Sequence, residues 1–396
     1  MIAGSNRGDG VLADQRGRRA ADLTLTSARV EYAAGQDSDS AELAERLVRL
    51  SLDLIPEMYS NGDFAFRLDG SCTDGNWCLV PAGRSVRYAA IAALGLMRLP
   101  EAAQRAVLDG ETSADLVGVL TGQLAEITNL GDVAMICWAA AEAGHADLPR
   151  ALARLAELDG LAVPHQVVDA SWTVTALVAA RRLVDVEEHI SRARSHLIGA
   201  RGAVLYPHLS GRGRPWYRAH VGSFADQVYP LQALARLHGS GDDQAALAVA
   251  NEIAAAICAA QGPAGQWPWH YDSRTGDVVE DFPVYTVHQH AMAPMALMDL
   301  AEAGGDDHLN AVCRGLRWLA HPPETEESLI LADPPVIWRK VARSDRRKTV
   351  RGLRAASTRI RPGWRLSALD RIFPPGVVDH ECRPYELGWL LMTWLS

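Results

Sequence analysis

The chain has 396 residues, of which 48% are hydrophobic and 22% are charged, and this composition is typical of a folded globular protein. Its formal net charge of −9 gives the whole protein no electrostatic attraction to nucleic acid, and no apolar run approaches the roughly 18 residues of a membrane span. The six cysteines lack the spacing of a zinc site, so we expect neither a metal nor another cofactor.

The cysteines and the first residues also bear on where the protein acts. The amino-terminal residues are basic, but no apolar segment follows them as it would in a secretion signal. Only Cys72 and Cys78 lie close enough in one loop to pair, and such sparse usage fits a reducing compartment. We therefore expect a cytoplasmic protein.

The chain begins with a segment of low apolar content. Residues 1–40 are rich in Gly, Ala, Arg, Asp and Ser without a sustained apolar period, which predicts a disordered tail. From Ala41 the sequence AELAERLVRLSLDLIPEMY has apolar residues at helical spacing, so a domain over 41–396 is predicted to start with an outer helix. The next loop contains Gly62 and Gly75 around the segment FAFRL, where we predict a short β-hairpin.

One pattern then repeats about six times, at a spacing of about 50 residues: a loop, a strongly apolar helix, a short turn and a charged amphipathic helix. The apolar helices are predicted to start near Arg84, Gly131, Asp169, Asp226, Tyr285 and Glu381. A helix that is apolar on every side must be buried on every side. We therefore predict an all-α fold, an (α/α)6 toroid with six inner and six outer helices, rather than an open solenoid with polar terminal caps.

In such a ring every inner helix starts at the same end, which we call the mouth. The residues predicted to lie there are Arg84, Arg87, Tyr88, Asp132, Asp169, Trp172, Asp226, Gln227, Tyr229, Tyr285, His288, Gln289, Arg383, Tyr385 and Glu386. Each carboxylate alone suits a helix cap, and Asp226 follows Ser223 in the S-x-x-D capping pattern. Capping does not explain the Tyr, Arg, His and Gln residues that accompany them, so we predict a ligand-binding cavity.

Polar aromatic residues are densest just before the fifth inner helix. Trp267, Trp269, His270 and Tyr271 fall within five positions, in a chain with 6% aromatic residues. One interpretation is a packed corner of a helical hairpin, with the polar tips of the rings bound to backbone. We favour substrate binding, because ligand pockets combine apolar walls with a few convergent polar groups.

Two stretches resemble the toroids of terpenoid cyclases and protein prenyltransferases. Gln261, Gly265 and Trp267 spell QxxxGxW, which resembles the QW repeat that ties a helix end to the next turn in that family. The helix DASWTVTALVAA is similar to the cyclase helix that begins with the DxDDTA acid motif. Only Asp169 and Thr173 match that motif, and the proton-donating Asp is absent.

A second resemblance covers nearly the whole chain. The strings RSVRY, FADQVYP, GQWPWHYD, VYTVHQHAMAPMAL and VIWR resemble bacterial toroid proteins found with polysaccharide-assembly genes. Their wider relatives in the α/α-toroid superfamily are six-hairpin glycosidases, epimerases and lyases, which hold sugars at the wide mouth of the ring. The resemblance implies a setting in polysaccharide or glycoconjugate biosynthesis.

The candidate chemistry follows from the residues at the mouth. Sugar rings present an apolar face and a belt of hydroxyl groups, and the chain has 11 Trp and 9 Tyr but only 5 Phe, a bias toward rings with polar tips. Glycoside hydrolysis needs two carboxylates that flank the bond, for which we predict Asp226 and Glu386, with Asp169 in reserve. Tyr285 and His288 are the alternative acid and base for a lyase or epimerase.

A basic insert is predicted at residues 339–365, which contain eleven Lys or Arg residues and one acid, Asp345. Such a run is usually a solvated or disordered face. It also suits an anionic glycan, a lipid-linked diphosphate sugar at a membrane surface, or a protein partner. Nucleic acid is not expected, since no nucleic-acid-reading motif accompanies the charge.

Taken together, these features predict a carbohydrate-active protein of polysaccharide or glycoconjugate biosynthesis whose partner is an oligosaccharide or a sugar-linked substrate. Hydrolase chemistry is favoured over that of a lyase or epimerase. Two alternatives come from other classes: a terpenoid cyclase-like or prenyltransferase-like enzyme on the same toroid, and a glycan-binding scaffold without activity.

Overall fold

The computed structural model of the protein describes residues 27–160, 164–210, 215–345 and 348–396. Six helices form a closed inner ring, in which each helix packs against the next and the last packs against the first. Inner helices 1 to 6 are Val86–Leu96, Leu130–Glu142, Val167–Ala180, Ala225–Gly241, the π-helical turn His288–Met292 continued by Ala293–Glu302, and Pro384–Trp394. The predicted (α/α)6 toroid is confirmed.

An outer layer of amphipathic helices surrounds this ring. The outer helices are Ser38–Met58, Ser113–Gly122, Leu148–Asp159, Glu187–Gly199, Gln244–Ala259 and Leu309–Ala320. Shorter helices are Ala28–Gln36, Glu101–Val107, Thr349–Ile360, Ala368–Ile372 and the 3-10 turn Trp216–Arg218. The outer helices bury one stripe each, such as Leu148, Leu152 and Leu155 on the third, whereas the inner helices are buried on nearly every side. Within the described residues, no helix is long and apolar enough to cross a lipid bilayer.

Closure of the ring depends on two glycines where inner helices 6 and 1 meet. A Cβ atom on Gly95 would clash with the carbonyl oxygen of Gly388, and one on Gly388 would lie 2.6 Å from the carbonyl oxygen of Ile91. Any side chain at either position would push the two helices apart. This close approach explains a glycine in the middle of an apolar helix, where it lowers helix propensity by about 1 kcal/mol relative to alanine.

The predicted disordered tail, residues 1–40, is wrong for its last part, because helices occupy Ala28–Gln36 and Ser38–Met58. Arg29 on the first of these helices is 5% exposed and pairs with Asp299 at 2.6 Å. The second helix packs against inner helix 6, so the first and last helical regions of the described chain are in contact. The earlier part of the tail lies outside the described residues.

Short strands occupy the loops that lead into the inner helices. In the described ranges they are β1 Tyr59–Ser60, β2 Asp63–Phe64, β3 Arg67–Thr73, β4 Asn76–Ala82, β5 Val221–Ser223, β6 His270–Asp272, β7 Val278–Glu280, β8 Val284–Tyr285, β9 Ile330–Ala332, β10 Pro335–Ile337, β11 Lys340–Arg343, β12 Pro375–Asp379 and β13 Glu381–Cys382. They form the antiparallel sheets β1–β2, β13–β3–β4, β5–β6–β7, β12–β11–β8 and β10–β9. Two hairpins, β1–β2 and β3–β4, occupy the region around FAFRL where one was predicted, and their turns at Asn61–Gly62 and Asp74–Gly75 have the positive φ angles of type I′ turns.

The two cysteines considered for pairing lie on the β3–β4 hairpin. Cys72 and Cys78 are both free and exposed. Cys72 is opposite Trp77 in the strand register, and Cys78 is opposite Ser71, so the two thiols point to opposite faces of the hairpin. A disulfide between them does not fit this strand pair.

The basic insert is largely folded, so its interpretation as a disordered segment is corrected for the described residues, whereas Lys348, Arg359 and Arg361 are exposed as a solvated face would have them. Strand β11 begins it, and Thr349–Ile360 is a helix whose Arg354 is fully buried. Arg354 pairs with Glu280 at 3.1 Å and with Asp370 at 2.8 Å. The helix also packs on β7, so the insert forms an ion-paired cover over the β5–β6–β7 sheet.

Candidate active site

The first turns of the six inner helices meet at the mouth, as the sequence predicts. Charged and aromatic side chains surround it, each partly exposed. They are Arg87, Tyr88, Asp132, His208, Trp269, Tyr285, Arg339, Glu381, Arg383 and Tyr385. Two further carboxylates, Asp169 and Glu386, are buried in the first turns of inner helices 3 and 6.

Asp169 is 6% exposed, and its Oδ1 atom has no hydrogen-bond partner among the described residues. A Cβ atom on Gly131 would clash with that oxygen, so the carboxylate fills space that only glycine leaves open. Arg87 lies beside it, bonded to Asp132 at 2.6 Å with its guanidinium 4.9 Å from the ring centroid of Trp172. Burial raises the pKa of Asp169 to about 6, and the charge of Arg87 opposes this rise.

Glu386 is 1% exposed, and neither carboxylate oxygen accepts a well-formed hydrogen bond from the part of the chain that is described. The Nε atom of Arg339 lies 3.9 Å from Glu386 Oε1. Burial raises the pKa of Glu386 to about 7, against the opposing charges of Arg339 and Arg383. Because buried polar groups are normally hydrogen-bonded, a buried carboxyl that lacks a well-formed hydrogen bond and has a raised pKa is a candidate acid–base group.

Asp226 is buried like Glu386, but its carboxylate is already engaged. It accepts hydrogen bonds from the backbone nitrogen and the hydroxyl of Ser223 at 2.6 and 2.7 Å, which is the predicted S-x-x-D cap. His208 Nδ1 lies 3.1 Å from both carboxylate oxygens, and the His208 side chain is 43% exposed. The structure thus adds a carboxylate-oriented histidine, which lies in an irregular loop without any motif to indicate it. A catalytic role for Asp226 stays a prediction.

Aromatic rings and cations line the wall near Glu386. The guanidinium of Arg339 lies 5.2 Å from the ring centroid of Tyr285. The ring of Tyr385 packs 4.6 Å from that of Tyr88, whose hydroxyl accepts a hydrogen bond from Arg383 at 3.0 Å. This part of the mouth therefore combines flat rings with positive charge, which suits a ring-shaped ligand with an anionic group.

Two predicted binding glutamines support the loops instead. Gln227 is fully buried, and its amide bonds to the backbone of Tyr206 at 2.8 and 2.9 Å. Gln289 is also fully buried, and it donates to the carbonyl of Tyr285 at 3.1 Å and accepts from the backbone nitrogen of Trp267 at 3.3 Å. Since these amides are occupied by backbone, they tie loops to inner helices and do not face a substrate.

The packed-corner interpretation describes most of the aromatic stretch before inner helix 5. Trp267 and Tyr271 are fully buried, and His270 is 4% exposed with its ring stacked 3.9 Å from that of Trp269. His288 packs 4.5 Å from a buried phenylalanine ring, and burial lowers its pKa to about 3, so it is neutral at pH 7. Of these five residues, Trp269 alone is partly exposed at the mouth.

Two further predicted binding residues have other surroundings. The side chain of Arg84 is 82% exposed, with its Nε 3.3 Å from Asp63. Tyr229 is 4% exposed; its hydroxyl accepts a hydrogen bond from Trp389 at 2.9 Å, and its ring packs edge-on against Trp172 at 5.0 Å. Arg84 is therefore a surface residue, and Tyr229 is a buried residue that packs against Trp172.

The glutamine of the QxxxGxW string has the structural role that the resemblance implies. The side-chain amide of Gln261 donates to the carbonyl oxygens of Gly265 and Ala311, at 2.8 Å each. It thus ties the end of one outer helix to the next.

No protein-family model matches the chain, and no curated protein matches its sequence. Solved structures do share its fold. An unsaturated glucuronyl hydrolase specific for heparin matches with a TM-score of 0.54 and 13% identity, covering 89% of this chain and 95% of that one. A variant of the unsaturated glucuronyl hydrolase of Streptococcus agalactiae matches with a TM-score of 0.52 and 12% identity, covering 96% and 94%. A possible member of the GH105 family from Klebsiella pneumoniae matches with a TM-score of 0.54 and 12% identity, covering 90% and 92%. At such identities the similarity establishes the fold, and the protein is an α/α toroid.

Proposed function

We propose that this protein is a carbohydrate-active enzyme that acts on a glycosidic bond of an acidic oligosaccharide. The observation that carries the proposal is the pair of buried carboxyls at one mouth, Glu386 and Asp169, whose pKa values are raised to about 7 and about 6. Perturbed carboxyls of this kind concentrate at active sites. The glucuronyl hydrolases with the same fold make a uronic sugar a suitable substrate class.

The two carboxyls suit different roles. Glu386 has a pKa near neutrality, so a large fraction of it is protonated at pH 7 and can donate a proton to a leaving glycosidic oxygen. Asp169, with the lower pKa, is mostly ionised at that pH and can accept a proton from water or from a sugar hydroxyl. Arg339 and Arg383 offer charge for a uronate carboxylate, and Tyr285 offers a flat face for the sugar ring.

The alternative functions have less support. A lyase or epimerase that uses His288 as its base would need to expose a neutral, packed ring. Burial also raises the pKa of Tyr285, so even less of its hydroxyl is ionised and ready to accept a proton at pH 7. A terpenoid cyclase-like reaction would favour aromatic walls without the charges of Arg87, Asp132 and Arg339 at the mouth. The setting in polysaccharide or glycoconjugate biosynthesis is supported by the motif strings alone and stays a prediction.

The test is turnover of acidic and neutral oligosaccharides, including unsaturated glucuronyl disaccharides, with products identified by mass spectrometry. Removal of a general acid or base typically lowers the rate by a factor of about 100 to 10,000, so we expect Glu386→Gln and Asp169→Asn each to lose at least 100-fold in kcat. We expect kcat/KM to be highest between pH about 6 and about 7, where Asp169 is ionised and Glu386 is protonated.

Glu188→Gln is the matched control, because Glu188 is an exposed carboxylate on the outer helix Glu187–Gly199. Its activity should equal that of the wild type. Full activity of both mouth variants would refute the assignment of the two carboxyls. Binding of an oligosaccharide without a product at any pH would instead support the scaffold alternative.

A further inference from the structure

Large apolar side chains are exposed on the segment 348–372, which follows strand β11 and covers the β5–β6–β7 sheet. They are Leu353 at 44%, Ile360 at 70%, Trp364 at 48% and Ile372 at 64%. Trp216, 65% exposed, lies in the 3-10 turn that packs against the helix Thr349–Ile360. These five residues, on the segment 348–372 and on the turn packed against its helix, are called the docking face.

The charge of the docking face is positive. Its exposed cations are Lys348, Arg359, Arg361 and Arg371. The segment has one acid, Asp370, which is paired with Arg354 at 2.8 Å and with Arg343 at 2.7 Å. The cations of the face are therefore not balanced by acids of the same segment, in a protein with a formal net charge of −9.

The helix Thr349–Ile360 buries Val350 and Ala355 on its inner side, but it also has apolar residues on its outer side. Its inner side buries Arg354 in ion pairs, whereas Leu353 and Ile360, seven residues apart and so on one side, face outward. A Cβ atom on Gly352 or Gly363 would meet nothing within 4 Å, which shows the open space around the face. The ion pairs fix the segment, so these apolar groups are presented outward by a folded element.

We propose that the docking face binds the surface of an anionic lipid bilayer. Trp, Ile and Leu beside Lys and Arg is the composition of segments that lie in the headgroup region, where apolar side chains enter the interface and cations pair with anionic lipids. A soluble anionic glycan would account for the cations and for Trp364 but not for the exposed aliphatic side chains of Leu353, Ile360 and Ile372. Arg351 lies 5.1 Å from the ring centroid of Trp269, so the docking face adjoins the mouth, and docking would bring the mouth close to the bilayer.

The test is co-sedimentation of the full chain with vesicles of phosphatidylcholine, alone or mixed with phosphatidylglycerol, at low and at high salt. We expect partitioning onto the anionic vesicles at low salt and its loss at high salt, where charges are screened within about 3 Å. Arg359→Gln combined with Arg361→Gln should lower the partition coefficient about 25-fold, at about fivefold per charge. Ile360→Ser combined with Trp364→Ser should also lower it, although no charge is changed.

The matched control is Arg182→Gln combined with Leu183→Ser. Leu183 is 53% exposed beside an exposed arginine, just after inner helix 3 at the end of the ring opposite the mouth. This pair should leave the partition coefficient unchanged. Equal loss in the control, no partitioning onto anionic vesicles, or binding of dextran sulfate without any binding of vesicles would overturn the proposal. Turnover of a soluble oligosaccharide should be the same in all three double variants, which separates this test from that of the proposed function.

Discussion

Replacing Glu386 with glutamine is expected to stabilise the protein at alkaline pH while it abolishes turnover. The carboxyl is 1% exposed, and burial raises its pKa from the usual 4.5 to about 7. A difference of that size means that ionising the group destabilises the folded chain by about 3 kcal/mol relative to the unfolded chain. Glutamine has nearly the same shape and cannot ionise, so this destabilisation is absent from the variant.

The direction of the pH effect follows from proton binding. Between pH about 4.5 and about 7 the folded chain holds more protons at Glu386 than the unfolded chain does, so the stability of the wild type falls as the pH rises through this window. The free energy of unfolding can be measured by urea titration with tryptophan fluorescence at pH about 5 and about 8. We expect the wild type to lose up to about 3 kcal/mol more than Glu386→Gln between these two conditions. Asp169 titrates in both proteins and cancels from the comparison.

The exposed control Glu188→Gln should lose as much stability as the wild type between the two pH values. If Glu386→Gln also follows the wild type, the carboxyl does not have a raised pKa in the folded protein. The proposed acid role of Glu386 would then lose its physical basis.

The remaining predictions concern a close approach and a buried ion pair. Gly131→Ala places a Cβ atom where the carboxylate of Asp169 now lies, so we expect at least a tenfold fall in kcat and a loss of no more than about 1–3 kcal/mol in the free energy of unfolding, which is the usual cost of overpacking. Gly122→Ala, where a Cβ atom meets nothing within 4 Å, is the control and should keep full activity. Arg354→Met removes a fully buried cation and leaves Glu280 with Arg343 as its remaining partner at 3.0 Å, so it should lower the free energy of unfolding by about 1.5–3 kcal/mol in a urea titration, the usual contribution of a hydrogen bond to a charged group. No change in that titration would show that the basic insert is not anchored through Arg354.

The sequence predicts the helices of the ring better than the strands, for a physical reason. Helical periodicity is local, and so the third apolar helix, predicted to start near Asp169, starts at Val167. The sixth, predicted to start near Glu381, starts at Pro384, because Glu381 pairs in β13 with Asp69 of β3. Such strand pairing joins distant parts of the chain, and neither segment alone has a sequence pattern that predicts it. The burial of Arg354 is of the same kind, since its acid partners lie on strand β7 and on the short helix Ala368–Ile372.

The contrast between local patterns and long-range contacts also explains a limit at the mouth. The sequence identifies the mouth, but it does not identify which of its carboxyls lacks a well-formed hydrogen bond. Asp226 and Glu386 are both acids in the first turn of an apolar helix, and the sequence differs between them only in the S-x-x-D capping pattern of Asp226. Folding brings His208 from the preceding loop to Asp226, whereas the carboxylate of Glu386 has Arg339 nearby without a hydrogen bond of good geometry. A capped and bonded carboxylate is stabilised in its ionised form, while a buried and unpaired one keeps its proton to higher pH. The acid–base assignment therefore depends on which partners the loops deliver, and the unpaired carboxyls should be substituted before the capped one.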